Sequence, residues 1–371
     1  MKLVANVASG IESITKRELI DLGYDPKPEN GKIYFEGEYE DVAKTNLWLR
    51  SADRIQIVLK EFKAHSFEEL FDKIFEMSWE EIIPLNGQII VNAKSKLSKL
   101  FSLSDIQAIT KRAIIKKLQK IYHRSGRLPE SGAVYSLSIR FEKNKAEVLL
   151  DTTGDSLFKR GYRIEKGVAP LKENMAASLI MLTNWHPDLP FVDPMTGSGT
   201  LAIEAALIGA NIAPGLKRDF LFNHFDDVDS KILEDQKKAA KEAIDRSVKL
   251  EISASDIDQN MISMSEQNAH GAGIYNLIHF KQIALRDLDL PNEKGVIIVN
   301  PPYGKRMGEE SQAKELYRQM GKKFIPLDKW SKYVITSDLD FEDYYGMKAT
   351  KKRKLFNGAI RTDYFQFWGE N

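Results

Sequence analysis

The segment best suited to chemistry follows a short apolar run at residues 295–299. The run GVIIV leads into the pentapeptide Asn300, Pro301, Pro302, Tyr303 and Gly304. Because proline cannot donate a ladder hydrogen bond, two in succession predict a rigid loop where a strand ends. The Asn300 side-chain oxygen and the Pro301 carbonyl could accept hydrogen bonds from an exocyclic base amine, guanine N2 or adenine N6, with Tyr303 stacked on the base. Such fixed dipoles favour the pyramidal, nucleophilic amine without a strongly basic side chain.

A second candidate lies upstream, where residues 191–204 read FVDPMTGSGTLAIE. The pattern predicts a strand that ends at Asp193, a loop that contains Gly197 and Gly199, and a helix that begins at Thr200. Glycine lets the backbone pass close to a ligand, and a helix N-terminus presents unpaired N–H groups to it. We therefore expect this loop to bind a small polar ligand.

The spacing after this loop narrows the choice of ligand. The loop fits the G-x-G-x-x-A dinucleotide fingerprint, which expects an acid for the ribose about 20 residues on. The next strand end is Asp256, 57 residues after Gly199, and no Gly-Lys-Ser/Thr follows the loop as in nucleotide triphosphatases. These facts favour an adenosine-bearing cofactor without pyrophosphate, with Asp256 accepting hydrogen bonds from both ribose hydroxyls. A plain tight turn capped by Thr200 is the alternative.

These residues need a scaffold, and the pattern of apolar runs predicts an α/β chain. In the C-terminal half, β-branched runs at 190–193, 251–256, 295–300 and 332–337 alternate with helical segments, which indicates a mostly parallel sheet covered on both faces. The N-terminal half reads as two smaller α+β units. In the first, strands at 2–7, 32–35 and 54–60 alternate with helices at 11–22 and 39–49; the second has helices at 66–75 and 105–122 and strands at 88–93, 134–141 and 146–151. We divide the chain at residues 1–60, 61–156 and 157–371.

Composition excludes several classes of protein. The 371 residues contain no cysteine, which removes disulfides, cysteine-based zinc sites, iron–sulfur clusters and thiol nucleophiles. The six histidines show no ligand spacing, so we expect no metal. There is no apolar run of about 18 residues and no secretory pattern at the N-terminus, so we expect a cytoplasmic protein without a membrane partner. A net charge of +1, from 54 basic and 53 acidic residues, says nothing about how charge is distributed.

Three segments resemble a known family. DPMTGSGT at 193–200 and NPPYG at 300–304 resemble the cofactor and catalytic motifs of S-adenosylmethionine-dependent amino methyltransferases. LFKRGYRIEKGVAPLKENMAASLI at 157–180 resembles the linker of THUMP-domain RNA methyltransferases, specifically those that make N2-methylguanosine in bacterial large-subunit rRNA. The resemblance covers essentially the whole chain. It implies a ferredoxin-like plus THUMP N-terminal half, a Rossmann-like methyltransferase half, S-adenosylmethionine as cofactor, and methyl transfer to guanine N2 of 23S ribosomal RNA.

The resemblance also implies roles for individual residues. The methionine end of the cofactor would be held by the glycine loop, with Asp193, Thr196, Gly197, Ser198 and Gly199. Ala169, Pro170, Leu171 and Lys172 would close over it, Asp256 would hold the ribose, and Asn300, Pro301, Pro302 and Tyr303 would hold the target base. The family usually has cysteine where this chain has Thr196. Its adenine-contacting acid would fall near Ala284, so Asp287 is the substitute.

The distribution of charge agrees with an RNA partner. Residues 94–127 carry ten basic side chains against the single acid Asp105: Lys94, Lys96, Lys99, Lys111, Arg112, Lys116, Lys117, Lys120, Arg124 and Arg127. A solvated helix face could look the same, but the resemblance favours a phosphate-binding footprint. A second cluster, Lys348, Lys351, Lys352, Arg353 and Lys354, is expected in a loop before the last strand. The alternatives are a tRNA guanine-N2 or adenine-N6 methyltransferase, a non-catalytic RNA-binding assembly factor, and a nicotinamide dehydrogenase.

Overall fold

The computed structural model of the chain describes residues 1–163, 171–290, 293–302, 309–357 and 360–370. The N-terminal half runs β1 (Lys2–Val7), α1 (Glu12–Asp21), β2 (Lys27–Glu29), β3 (Lys32–Glu36), α2 (Tyr39–Trp48), β4 (Ala52–Lys63), α3 (Phe67–Phe75), β5 (Gln88–Lys96), α4 (Leu103–Ile121), β6 (Val134–Glu142) and β7 (Lys145–Asp151). The C-terminal half runs α5 (Glu173–Met181), β8 (Phe191–Asp193), α6 (Thr200–Gly209), α7 (Lys231–Glu242), β9 (Ile252–Asp256), α8 (Gln259–Ala272), β10 (His279–Gln282), β11 (Gly295–Val299), α9 (Glu309–Phe324), β12 (Trp330–Thr336), α10 (Phe341–Tyr345), β13 (Lys351–Asn357) and β14 (Ile360–Phe367). None of these helices is both long enough and apolar enough to cross a bilayer.

One seven-stranded sheet serves the whole N-terminal half. Its order is β2-β3-β1-β4-β7-β6-β5, antiparallel except for the parallel pair β5 and β6. The twelve-residue strand β4 runs past residue 60 and pairs with β1 on one side and β7 on the other. The two N-terminal units predicted from the sequence therefore share a sheet, and the division of the chain at residue 60 remains a prediction.

The two faces of this sheet differ in chemistry. Strand β6 alternates strictly, with Tyr135, Leu137, Ile139 and Phe141 buried in a core that also contains Ile114 of α4. The opposite face, called here the open face, carries the other residues of each strand. Arg140 and Glu142 lie on it, level with Lys94 and Lys96 of β5 in the parallel register. Helix α4 and the basic end of β5 thus lie on opposite sides of the sheet.

The C-terminal sheet has the order β10-β9-β8-β11-β12-β14-β13, and the five strands from β10 to β12 are parallel, as the sequence predicts. Every residue of β11 is buried. One prediction is wrong: residues 351–354 do not lie in a loop, because Lys351–Asn357 forms an edge strand paired antiparallel with β14. Lysines suit an exposed edge, where they discourage pairing with another chain.

An insertion explains the long spacing between the glycine loop and Asp256. After α6, residues 211–250 pass over the N-terminal half, where the Phe222 and Gly215 amides donate to the Thr152 and Leu47 carbonyls at 3.0 Å each. Phe220, Phe222 and Phe225 are buried in the N-terminal core. The insertion therefore fastens the two halves together.

A buried polar network crosses the same interface. Arg160 and Glu204 are 2% and 0% exposed, and the Nη2 of Arg160 lies 3.4 Å from Oε2 of Glu204. The Tyr162 hydroxyl donates to the other Glu204 oxygen at 3.1 Å, and Arg160 also donates to the Arg50 carbonyl at 2.6 Å. Burial lowers the pKa of Arg50 to about 10, and nearby Glu204 and Glu18 oppose that shift. Since Glu204 lies on α6, directly after the glycine loop, the network ties that helix to the N-terminal half.

Candidate active site

Three strand ends meet where the strand order of the C-terminal sheet reverses. The chain passes from β8 outward to β9 and β10, then returns to β11 on the other side of β8. Asp193 pairs with Ala254, two residues before Asp256, and Val192 pairs with Ile297, three residues before Asn300. Asp193, Asp256 and Asn300 are therefore neighbours at the carboxyl edge. Such a reversal point is where ligands bind in open parallel sheets.

The glycine loop between β8 and α6 is held by its neighbours. The Gly197 N–H donates to Oδ2 of Asp256 at 3.0 Å, and the Thr196 amide donates to the Ser255 carbonyl at 2.9 Å. Gly199 caps α6 with φ of 83°, and a Cβ there would lie 2.8 Å from Cβ of Ser265. At Gly197, φ is 51° and a Cβ would meet nothing within 4 Å. Gly199 is thus required by packing, whereas Gly197 borders open space.

Two buried polar side chains at this loop have no hydrogen-bond partner in the part of the chain that the structure describes. Neither carboxylate oxygen of Asp193 has a hydrogen-bond partner among the described residues, and the Thr196 hydroxyl has none either. Burial raises the pKa of Asp193 to about 7; the Thr196 hydroxyl and the Met195 amide lie close enough to lower it in part without reaching hydrogen-bond geometry. Unpaired buried acceptors are costly, so their presence here fits a site whose donors come from a ligand, such as the ammonium group of an amino-acid-like cofactor.

The end of β9 carries an exposed apolar residue that residue spacing alone does not single out. Asp256 is half-buried at the end of β9, and its neighbour Ile257 is 72% exposed. A large apolar side chain exposed at a ligand-binding edge offers a surface for an adenine ring. The position of Ile257 directly after Asp256, at a predicted strand end, is the sequence signal that could have singled it out. Asp287, the predicted adenine contact, is exposed, and Oδ2 of Asp287 lies 3.4 Å from Nε of Arg286.

The linker reaches the loop through one arginine. The Nη2 of Arg163 donates to the Thr200 hydroxyl at 3.0 Å and to the Leu171 carbonyl at 3.1 Å, while its Nε lies 3.3 Å from Glu173. Leu171 is buried beside the start of α5. Arg163 thus joins Leu171 to the first residue of α6, and the closure of Leu171 over a cofactor remains a prediction. Ala169 and Pro170 lie outside the described residues.

The predicted base-binding loop begins at the same edge. Asn300 is half-buried, Pro301 is buried and Pro302 is exposed. Pro302 lines a cleft of about 710 Å³ whose other wall is helix α9, with Gln312, Leu316 and Gln319. Tyr303 lies outside the described residues, so its stacking role remains a prediction.

The predicted RNA-binding lysines of α4 share a surface with two aromatic rings. The cations of Arg112, Lys117 and Lys120 lie 5.4–5.9 Å from the ring centres of Phe71 and Phe75 on α3. Lys116 is exposed on the same helix. Lys111 already has protein partners, because its Nζ lies 2.8 Å from Oε1 of Glu130 and donates to the Ile89 carbonyl.

The remaining predicted cations fall into two groups. Lys94, Lys96 and Lys99 are exposed, and the first two lie on the open face. On β13, Lys351 is exposed, Lys352 donates to buried Glu342 at 2.8 Å, and Arg353 donates to the Gly10 carbonyl at 3.0 Å. Arg353 therefore joins the two halves of the chain.

Family comparisons agree with this architecture. The family model described as "RMKL-like, methyltransferase domain" matches residues 160–366, the "RlmL ferredoxin-like domain" matches residues 2–56, and the THUMP domain matches residues 64–151. The first of these covers more than half of the chain.

Individual relatives span the chain from end to end. It is 47% identical to "Putative RNA methyltransferase YpsC" of Bacillus subtilis (strain 168), over 99% of this chain and 96% of that protein. It is 30% identical to the ribosomal RNA large subunit methyltransferase K/L of Syntrophotalea carbinolica, over 99% of this chain. This chain spans about half the length of that relative, 53%.

Two solved structures are similar over the whole chain. One is SMU.472, "a putative methyltransferase complexed with SAH", with 48% identity, a TM-score of 0.95 and coverage of 100% of this chain and 98% of that one. The other is "a predicted N6-adenine-specific DNA methylase" from Listeria monocytogenes, with 47% identity, a TM-score of 0.95 and coverage of 100% and 96%.

Proposed function

Because the chain belongs to the family of RMKL-like methyltransferases, we propose that it methylates the N2 amine of a guanine in 23S ribosomal RNA. At the coarser level the chain is an RNA methyltransferase that uses S-adenosylmethionine. The observation that supports the proposal best is the meeting of Asp193, Asp256 and Asn300 at one sheet edge. A cofactor site and a base-binding loop then lie side by side.

The residues around the glycine loop fit this cofactor. Asp193 offers two unpaired buried oxygens to an ammonium group, and Gly197 leaves room beside the loop. Asp256 still has acceptor capacity for a ribose hydroxyl, because a carboxylate has about four lone-pair sites and this one accepts from the Gly197 and Asp258 amides. Ile257 offers an apolar surface for the adenine. When bound, S-adenosylmethionine supplies a methyl group on a positively charged sulfur.

The chain's own contribution at the target base is to orient and polarise the amine. In the proposal, the Asn300 side-chain oxygen and the Pro301 carbonyl accept the two N–H bonds of the amine. Held in this way, the nitrogen lone pair is directed at the methyl carbon rather than delocalised into the ring. A bond from nitrogen to carbon forms as the carbon–sulfur bond breaks, and the extra proton on nitrogen passes to water.

Adenine N6 is the second candidate acceptor, since Asn300 and Pro301 would bind either amine equally well. The name of the Listeria relative favours it. The two candidates differ in the nucleotide that carries the methyl group, so one experiment separates them.

The test uses ribosomal RNA from a strain that lacks the gene. The purified protein is incubated with this RNA and methyl-labelled S-adenosylmethionine, and the labelled nucleotide is mapped. We expect N2-methylguanosine at a single position of 23S rRNA. N6-methyladenosine or label in tRNA would replace the proposal with one of its alternatives. No label in any RNA, with SAH binding confirmed by calorimetry, would overturn the enzymatic assignment to RNA.

A further inference from the structure

The open face of the N-terminal sheet holds two adjoining hollows that together form a groove. The first, about 720 Å³, is lined by Lys94, Lys96, Leu103 and Lys143 among others. The second, about 690 Å³, lies between the two halves of the chain and is lined by Ser9, Lys172 and Phe356 among others. Lys96 and Glu142 line both hollows, so the groove is continuous.

The far end of this groove reaches the cofactor edge. Lys172, in the second hollow, directly follows Leu171, whose carbonyl accepts a hydrogen bond from Arg163. Arg163 in turn donates to Thr200, the first residue of α6. A chain lying in the groove would therefore run from the THUMP region to the residues that close over the cofactor.

The groove is positive in its first hollow and balanced in its second, where Lys96 and Lys172 stand against Asp53 and Glu142. Among its lining residues the first hollow has six cations and three acids: Lys32, Lys94, Lys96, Arg140, Lys143 and Lys145, against Glu29, Glu142 and Glu147. Lys32 and Lys145 are paired with Glu147 and Glu61. Within the described part of the chain, no ion pair involves Lys94, Lys143 or Lys172, and Nζ of Lys172 lies 4.8 Å from the ring centre of Phe158.

Where the two hollows join, Lys96 and Glu142 form only a weak ion pair. Nζ of Lys96 and Oε1 of Glu142 are 3.9 Å apart, with side chains 68% and 57% exposed. An ion pair so exposed is worth little. A phosphate can therefore displace Glu142 from Lys96 at small cost.

Phe356 distinguishes the kind of polyanion that fits. Tyr34 and Phe141, the other aromatic residues of the groove, are buried, whereas Phe356 is half-exposed on β13 with Nζ of Lys354 5.4 Å from its ring centre. Phe356 belongs to none of the buried core clusters of the described residues. A ring of this kind stacks with an unpaired base, and a positive groove with an aromatic platform is the usual arrangement for single-stranded nucleic acid.

We propose that this groove binds a single-stranded segment of the RNA substrate, with phosphates on Lys94, Lys96, Lys143 and Lys172 and one unpaired base on Phe356. The proposal rests on the proposed function for its choice of RNA. It adds a surface distinct from the basic face of α4 that carries Lys116, Lys117 and Lys120; only Leu103, the first residue of that helix, borders the groove.

The test measures binding of a labelled single-stranded RNA of about 12 nucleotides and of the same strand annealed to its complement. In the first variant, Lys94→Gln and Lys143→Asn remove two free cations; asparagine suits the φ of 50° at Lys143. For single strands each phosphate contact contributes about 0.7 to the slope of log K against log salt. We expect this variant to flatten the slope by about 1.4 and to weaken binding. The control, Lys238→Gln with Lys241→Gln on α7, makes the same charge change elsewhere and should leave the slope unaltered.

Phe356 is tested separately. Phe356→Ala should raise the dissociation constant for the single strand at least fivefold, the lower end for loss of one stacked base, and Phe356→Trp should restore binding. An unchanged slope in the lysine variant, or an unchanged dissociation constant in Phe356→Ala, would overturn the proposal. An equal rise in the dissociation constant of Phe356→Ala for the annealed duplex would also overturn it, because it would show that no unpaired base is required.

Failure of this proposal is distinguishable from failure of the proposed function. If the wild-type protein methylates rRNA while the groove variants bind the single strand normally, only the groove is refuted. If the wild-type protein methylates no RNA, the proposed function falls, and the binding measurements still decide the groove.

Discussion

The backbone N–H of Gly197 donates a hydrogen bond of 3.0 Å to Oδ2 of Asp256. This bond joins the glycine loop after β8 to the end of β9, so the residue expected to hold the ribose also fixes the loop expected to hold the methionine part. The other oxygen of Asp256 accepts from the Asp258 amide at 3.0 Å. Asp256 thus supports the glycine loop, and in the proposed site it would also bind the ribose.

Asp256→Ala should therefore weaken SAH binding through both roles. Loss of hydrogen bonds to a charged group costs about 1.5–3 kcal/mol, which corresponds to roughly 10- to 150-fold in the dissociation constant measured by calorimetry. Asp258→Ala is the control, because Asp258 caps helix α8 through the Asn260 amide. It should lower the stability by about 1 kcal/mol with little change in SAH affinity. Similar affinity losses in both variants would contradict a specific role for Asp256.

Asp193 should make the stability of the unliganded protein fall as pH rises. Its pKa is about 7 in the folded protein and near 3.8 when unfolded, so between these values the folded state holds a proton that the unfolded state has lost. Stability should decline across pH 4–7 and level off above it. Asp193→Asn removes this contribution and should be more stable than wild type at pH 8, by up to roughly 4 kcal/mol. Urea unfolding at pH 5 and pH 8 measures the difference.

The same substitution should abolish tight SAH binding, because asparagine cannot offer a carboxylate to an ammonium group. In the wild-type protein, SAH affinity should rise as pH increases through 7, since the ligand needs the ionised form of Asp193. A pH-independent affinity, or an Asp193→Asn variant that binds SAH normally, would contradict this assignment.

The buried pair Arg160 and Glu204 should behave as one unit. Removing one partner of a buried ion pair typically costs about 3–5 kcal/mol, because the other charge is left uncompensated. We expect costs of this size for Arg160→Met and for Glu204→Gln in urea unfolding. The double variant should lose clearly less than the sum of the two. Strict additivity would show that the pair is not coupled.

Asn300→Ala should eliminate methyl transfer to rRNA while SAH affinity stays within a few fold. The reason is that the proposed role of Asn300 is to accept a hydrogen bond from the target amine, not to contact the cofactor. Transfer is measured with labelled S-adenosylmethionine, and affinity by calorimetry. An active variant would refute the role.

The lysines of α4 give a prediction that separates the two basic surfaces. Neutralising Lys116, Lys117 and Lys120 to glutamine should flatten the salt dependence of binding to a structured rRNA fragment by about 2.7, at about 0.9 per duplex phosphate contact. Binding of the 12-nucleotide single strand should be unaffected. If the slope for the structured fragment does not change, α4 is a solvated helix face.

The sequence predicts most elements because their apolar periodicity is strong, as in β6 and α4. The predicted helix at 105–122 is Leu103–Ile121 in the structure, and the predicted strand at 134–141 is Val134–Glu142. The sequence predicts a loop at the basic cluster 348–354 because its charges conceal the pairing of Lys351–Asn357 with β14, which only the folded sheet supplies. The three-residue strand β2 is too short and too exposed to leave a pattern.

The candidate site also has residues that the sequence predicts and relationships that only the folded structure shows. Asp193 and Asn300 could be placed at strand ends, and Gly197 in the loop after Asp193, because the short apolar runs 191–193 and 295–299 stop at polar residues or prolines. That Lys94 and Lys116 lie on opposite sides of one sheet depends on tertiary packing, which residue spacing does not contain. That no described residue forms a hydrogen bond with the Asp193 carboxylate depends on every neighbour of that side chain, so a motif could not predict it.

Strand β4 belongs to both N-terminal units, and residues 211–250 fasten their common sheet to the methyltransferase half. An RNA held on that sheet and methylated at the cofactor edge would span two points whose separation is set by packing. The protein would then hold the captured RNA segment and the methylated nucleotide at a fixed distance from each other. It would choose its nucleotide by distance along the RNA from the captured segment, and lengthening the RNA between the two points should move the methylated position rather than abolish methylation.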